Sequence, residues 1–95
     1  MFDPVKDVEI GGEFRVECAS ILVVRLEGNG PNMRDVYVRV FLNGTLVANG
    51  SAADNSAPNV ISTNLDTVTV PIPNGSKVRI DKTGNGIAEA RLFRL

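Results

Sequence analysis

The sequence predicts an all-β fold, an antiparallel β-sandwich of jelly-roll type with roughly eight or nine short strands, and three observations carry that prediction. Apolar and polar residues alternate with a period of two, as in Val36, Val38, Val40 and Leu42 set against Asp35, Tyr37, Arg39 and Phe41. Turn chemistry such as Asn43 with Gly44 and Asn74 with Gly75 recurs at spacings of about eight to twelve residues. No segment keeps a 3.6-residue apolar period long enough to make a helix. Such spacing suits a jelly roll or an immunoglobulin-like sandwich. The chain has no Trp and no cysteine pair, which removes the marks of the immunoglobulin type.

Residues 1–4 read as a lead-in, with Pro4 pushing Asp3 toward extended geometry, and 5–10 as a short strand. Gly11 and Gly12 turn the chain into 13–18, where Phe14, Val16 and Cys18 face inward while Arg15 and Glu17 face out. Cys18 is expected to be a buried thiol. Ala19 and Ser20 break the phase. In 21–27, Leu22, Val24 and Leu26 share one face while Ile21, Val23 and Arg25 share the other, so both faces are largely apolar. A strand of that kind is either central or part of an interface.

Residues 28–33 form a turn-rich loop and lead into 34–50, the clearest unit of the chain. There Asn43 and Gly44 supply the two positive-φ residues of a type I′ hairpin, and Thr45, Leu46 and Val47 begin the return strand. Residues 51–59 are small and polar and are expected to be a surface loop, mobile or ligand-facing, followed by a brief edge strand at 60–64. Residues 67–73 alternate with Val68, Val70 and Ile72 inward. Pro71 cannot donate to a ladder and places that strand at a sheet edge. Asn74 and Gly75, both expected at positive φ, turn the chain back into 77–81 with Val78 and Ile80 inward, and 82–86 is a further Gly-rich turn. The final strand, 87–95, carries Ile87, Phe93 and Leu95 on one face and Ala88, Ala90 and Leu92 on the other.

Ninety-five residues support one core, so residues 1–95 are read as a single domain. Ten Lys and Arg stand against eleven Asp and Glu, a balance that gives no reason to expect a nucleic-acid or membrane partner. The lone Cys18 excludes an intrachain disulfide and any multi-cysteine zinc site. The start has no basic-then-apolar leader pattern, and the apolar run 21–24 is far short of the ~20 residues of a membrane span. Folding in the cytoplasm is expected, with both ends held down by neighbouring molecules.

Catalytic chemistry has few tools in this sequence. The chain has no His, which removes Ser-His and Cys-His nucleophile pairs, and no cofactor is expected. Asp54, Asp66, Asp81 and Glu89 could serve a hydrolase as paired carboxylates, but no spacing favours a pair over solvated strand and turn positions. Asp54, Asn55 and Asn59 supply too few oxygen ligands for calcium. The loops Gly28-Asn29-Gly30 and Gly84-Asn85-Gly86 open no helix and cannot cradle phosphate in the P-loop manner. Asn43-Gly44-Thr45, Asn49-Gly50-Ser51 and Asn74-Gly75-Ser76 match the glycosylation pattern, yet hairpin chemistry explains them without a secretion signal.

The remaining candidates are surfaces. Tyr37 and Phe41 project with Arg39 from the outer face of the central hairpin, a composition typical of protein interfaces. The same aromatics, with residues 51–59, could instead form the platform of a carbohydrate-binding module. At the other end of the chain, Phe93 and Leu95 expose apolar groups, and Arg91 and Arg94 could pair bidentately with a neighbour's carboxylates.

At VYVRVFLNGTLVANG and at VTVPIPNGSKVRIDKTGNGIAEARLFRL the chain resembles the small jelly-roll decoration, or cement, proteins of tailed-phage heads. The resemblance is one of pattern, covers most of the chain and supplies no site residues. It implies a non-enzymatic structural protein on the virion head surface, self-associated as a dimer or trimer and clamping neighbouring subunits of a host shell or capsid protein. A phage tail or baseplate accessory domain is the nearest alternative in kind.

Overall fold

The computed structural model describes residues 5–28, 35–53, 64–84 and 86–95. They form eight strands and no helix: β1 Val5–Val8, β2 Glu13–Arg15, β3 Ser20–Gly28, β4 Asp35–Leu42, β5 Thr45–Ala53, β6 Asn64–Ile72, β7 Lys77–Gly84 and β8 Ile87–Arg94. Two four-stranded antiparallel sheets result, ordered β1-β8-β3-β6 and β2-β7-β4-β5. β1 pairs with β8, β2 with β7, β3 with β6 and β4 with β5. The chain is thus one long antiparallel hairpin wrapped so that successive pairs fall alternately in the two sheets. Further pairing of β3 with β8 and β4 with β7 locks the wrap. This is the eight-stranded jelly roll.

The alternating runs supply the core. Leu22, Val24 and Leu26 from β3, Val68, Val70 and Ile72 from β6, and Ala90 from β8 close on Val36, Val38 and Val40 from β4 and on Val78 and Ile80 from β7. Burying a branched aliphatic side chain contributes about 1.5–3 kcal/mol, so these positions hold the two sheets together. Leu42, expected in the same set, lies only partly buried at the end of β4.

The central hairpin forms as its sequence requires. Asn43 has φ 51° and Gly44 φ 84°, and Leu42 faces Thr45. Asn43 also ties the tip to β7: its amide donates to the Lys77 carbonyl at 2.8 Å, and its Oδ1 accepts the Lys77 amide at 3.0 Å. Val40 faces Ala48 while Phe41 faces Leu46, so Val47 is the extra residue of a β-bulge.

Several expectations are corrected. Residues 51–53 belong to β5, not to a loop, with Ser51 facing Tyr37 and Ala52 buried. Asn49 and Gly50 likewise lie within that strand, opposite Arg39 and Val38, and form no turn. The small side chains have a steric reason. A Cβ on Gly50 would collide with Cγ2 of Val68 and stand 3.2 Å from Oδ2 of Asp66, because β5 and β6 are the edges at which the sheets meet. Residues 82–84 extend β7 rather than turning. Asn74 and Gly75 form no hairpin. β6 and β7 lie in different sheets, and only Gly75 has positive φ, at 85°, with the Ser76 amide donating to the Pro73 carbonyl at 3.2 Å. A chain crossing between sheets has no strand twist to match, so the primed turn is not selected.

Pro71 sits on the edge strand β6 as expected. β8, by contrast, lies between β1 and β3 and is no edge. The C-terminal residue is held by its own chain, its amide donating to the Ala19 carbonyl at 3.0 Å. The proposed lead-in 1–4, the loops 29–33 and 54–59, and residues 60–63 of the expected edge strand lie outside the described residues.

Candidate functional site

A jelly roll offers three kinds of surface: the outer face of each sheet and the seams where the sheets' edges meet. The candidate residues are distributed over all three.

Tyr37, Arg39 and Phe41 occupy alternate positions of β4 and all project from the outer face of its sheet. Tyr37 is half exposed. Phe41 is less so, because the Arg79 guanidinium lies over its ring at 4.2 Å from the centroid, on the next strand. Arg79 in turn holds Asp81 at 3.3 Å, an exposed pair of little energetic weight that fixes the stacked guanidinium in place. Tyr37 and Phe41 are four residues apart, so at ~3.4 Å per residue their Cα atoms stand about 14 Å apart. One pyranose ring cannot stack on both. The arrangement is a mixed aromatic and charged strip running Tyr37, Arg39, Phe41, with one face of Phe41 already covered by a cation.

Arg91 and Phe93 lie on the outer face of the opposite sheet, so the two groups of candidates do not meet. Arg91 is engaged within the chain, its Nε 3.3 Å from Oδ1 of Asp7. Phe93 faces Ile21, which faces Pro71 on the next strand, making an apolar row across three strands. Leu95 is 77% exposed beyond the end of β8.

Arg94 belongs to neither face. It follows the phase of Leu92 and Ala90 and turns inward at the end of the sandwich, where its Nε donates to Sγ of Cys18 at 2.9 Å. Cys18 is therefore half-buried, not the core thiol its alternation implied, because β2 ends at Arg15 and the chain leaves strand geometry before reaching it. The buried Ser20 hydroxyl donates to the Cys18 carbonyl at 3.0 Å and steadies this corner.

That corner closes one end of a groove of about 640 Å³ at the seam of the two edge strands β1 and β2. Val8, Phe14, Val16 and Leu92 give it an apolar lining, and Asp7, Glu9, Glu13 and Glu17 supply acidic groups. The opposite seam is shut: Gly50 packs on Val68, and Asp66 Oδ2 accepts the Ser51 amide at 3.2 Å.

The carboxylates weighed for hydrolysis are dispersed by the fold. Asp66 lies at the closed seam, Asp81 on one outer face and Glu89 on the other, while Asp54 lies outside the described residues.

Leu65 escaped the reading of the sequence, whereas Ile87 lies on the face of Phe93 where that reading put it. Leu65 is 60% and Ile87 42% exposed, and each faces Glu27, so they flank it on the same outer face as Phe93. The signal was present in phase alone: Leu65 shares its side with Thr67, Thr69 and Pro71, opposite the buried Val68 and Val70. No protein-family model matches the chain, and no curated protein matches it.

Proposed function

We propose that this jelly roll is a non-enzymatic structural component of a multi-subunit assembly, and that it acts as a decoration or cement protein bound over the junctions of a phage capsid shell. The observation that carries the reading is the placement of Phe93, Leu65 and Ile87 in the open on a sheet face whose opposite side is fully employed in the core. A small domain gains nothing from exposing three large apolar side chains on one face unless another surface covers them. The strip of Tyr37, Arg39 and Phe41 on the other sheet adds residue types that anchor protein contacts. The protein thus has two separate faces, as a clamp between a neighbour and a shell requires. Its site of action on this reading is the virion head surface.

The carbohydrate-binding alternative is disfavoured by the ~14 Å between Tyr37 and Phe41 and by the Arg79 guanidinium covering Phe41. Mass photometry of the purified protein, alone and with preformed capsid shells, tests the proposal. Dimers or trimers that bind shells and stay inert on a glycan array are the expected result. A free monomer that binds an oligosaccharide and ignores shells overturns it.

A further inference from the structure

We infer that the outer face of the β1-β8-β3-β6 sheet is a self-association surface, and that its occupant is the same face of a second copy related by a two-fold axis lying across the strands. The inference names the self-association partner of the assembly reading above and rests on that reading for its biological purpose; its geometry comes from the register of three strands.

The register sorts this face into rows. Phe93, Ile21 and Pro71 make an apolar row at one end. Ile87 and Leu65 flank Glu27 in the row at the other end. Between them run two polar rows, Arg91 with Val23 and Thr69, and Glu89 with Arg25 and Thr67. Apolar rows thus bracket charged ones, and the two charged rows carry opposite signs on β8.

In an isologous contact, residue i meets residue j of the copy and j meets i. A two-fold axis across the strands, between the two polar rows, reverses the row order. It sets Phe93 against Ile87 of the copy and Pro71 against Leu65, so the exposed Phe93, Ile87 and Leu65 each find an apolar partner. The same operation sets Arg91 against Glu89 of the copy, twice by symmetry, and Thr69 against Thr67. Asp7 meets Arg91 at Nε, and a guanidinium has five N–H donors, so it can take the incoming carboxylate as well. A two-fold axis along the strands does worse: between β8 and β3 it puts Ile87 against Glu27 and Arg91 against Val23, and along β3 it puts Arg25 and Glu27 each against their own copies. Both arrangements keep the strands aligned, as packed sheets prefer. Two mismatches remain in the chosen one, Glu27 against Ile21 and Arg25 against Val23.

The area is adequate. Three strands of eight or nine residues and the four-residue β1, about 4.8 Å apart at ~3.3 Å per residue, give a face of roughly 500 Å² in projection. With side-chain relief on two such faces, the contact approaches the lower edge of the ~1,200–2,000 Å² of specific interfaces. A reversible dimer is the natural outcome.

Sedimentation equilibrium over a concentration series tests this on the full chain, with circular dichroism confirming the fold of each variant. Glu89→Arg and Arg91→Glu should each weaken the dimer by roughly tenfold or more, because each brings like charges together at both symmetry-related contacts. The double variant should recover most of the lost affinity. Leu65→Ser, at an exposed edge position, should weaken it with no change in fold, and Glu27→Gln should tighten it. A wild-type monomer at millimolar concentration, a dimer indifferent to the single variants, or a double variant that fails to recover overturns the inference. A monomer that nevertheless binds shells removes this interface and leaves the assembly reading standing. A dimer with the reciprocal recovery that binds no shell does the reverse.

Discussion

Asp66, on the edge strand of one sheet, accepts the backbone amide of Ser51, on the edge strand of the other, at 3.2 Å. Its second oxygen takes the amide of Thr67 at 2.9 Å. One carboxylate therefore bridges the sheets at their closed seam and occupies an amide of β5 that would otherwise invite another strand. Asp66→Ala should lower stability by about 1 kcal/mol, the ordinary net worth of such a hydrogen bond. Urea titration checks this, and aggregation should rise along with the loss of stability as the edge is uncovered. An unchanged midpoint with no added aggregation would show that the bridge does nothing.

The same seam depends on the absence of a side chain. Gly50→Ala should cost about 1–3 kcal/mol, the usual range for overpacking a fitted contact, because its Cβ meets Val68. Val68→Ala alone should be destabilising as well, by opening a cavity. Combined, the two changes should cost less than their sum, since the methyl group gained at one position enters the space vacated at the other. A double-mutant cycle with a coupling energy near zero would place the two residues out of contact.

Val38 and Val40 are fully buried between the sheets. Truncating either to Ala should cost about 2–4 kcal/mol. For a domain whose total stability is about 5–15 kcal/mol, that is enough to lower the thermal midpoint by many degrees. A shift of one or two degrees would contradict the packing described above.

How much of this was legible depends on how local the determinant is. The inward sets of β3, β4, β6 and β7 and the Asn43-Gly44 turn follow from neighbouring residues alone, and they stand where alternation put them. Which sheet each strand joins does not. Val5 pairs with Phe93 and Leu22 with both Val70 and Leu92, contacts across most of the chain that alternation cannot express. That is why alternation alone could not say that β8 is interior or that Tyr37 and Phe93 lie on opposite faces. Composition misled at residues 51–53, where small residues look like loop but are the ones a strand needs when another sheet's edge presses on it. Leu65 was missed because it is a single apolar residue just ahead of the alternating run 67–73, and only the register shows that it shares a row with Ile87.

The hairpin tip offers a local check. Gly44→Val should strain the turn by roughly 1–2 kcal/mol, since a β-branched side chain is forced to the positive φ that glycine holds at 84°. Asn43→Ala should add a separate loss of about 1 kcal/mol by removing the oxygen that accepts the Lys77 amide. Amide hydrogen exchange at Lys77 distinguishes the two effects. It should accelerate in Asn43→Ala well beyond what the change in global stability accounts for, and in Gly44→Val only to the extent that global stability falls.

The two faces should also separate functionally. Deleting the last four residues would be a poor test of assembly, because Leu92, Phe93 and Arg94 pair with β3 on one side and Leu92 and Phe93 with β1 on the other, so the deletion breaks an interior strand. Point changes on the opposite sheet are cleaner. Tyr37→Ser and Arg39→Glu alter exposed positions of β4, whose buried neighbours Val36, Val38 and Val40 are left untouched, so the fold and the thermal midpoint should hold. If the Tyr37, Arg39 and Phe41 strip grips the shell, each change should reduce shell binding by tenfold or more, the scale of an aromatic or arginine anchor worth over ~1.4 kcal/mol. Self-association through the other sheet should be unaffected, because the packed core separates the two faces. Binding to preformed shells and sedimentation of the free protein, measured on the same variants, read these separately. Loss of both activities together would mean that a single surface serves both, and loss of neither would remove the strip from any interface.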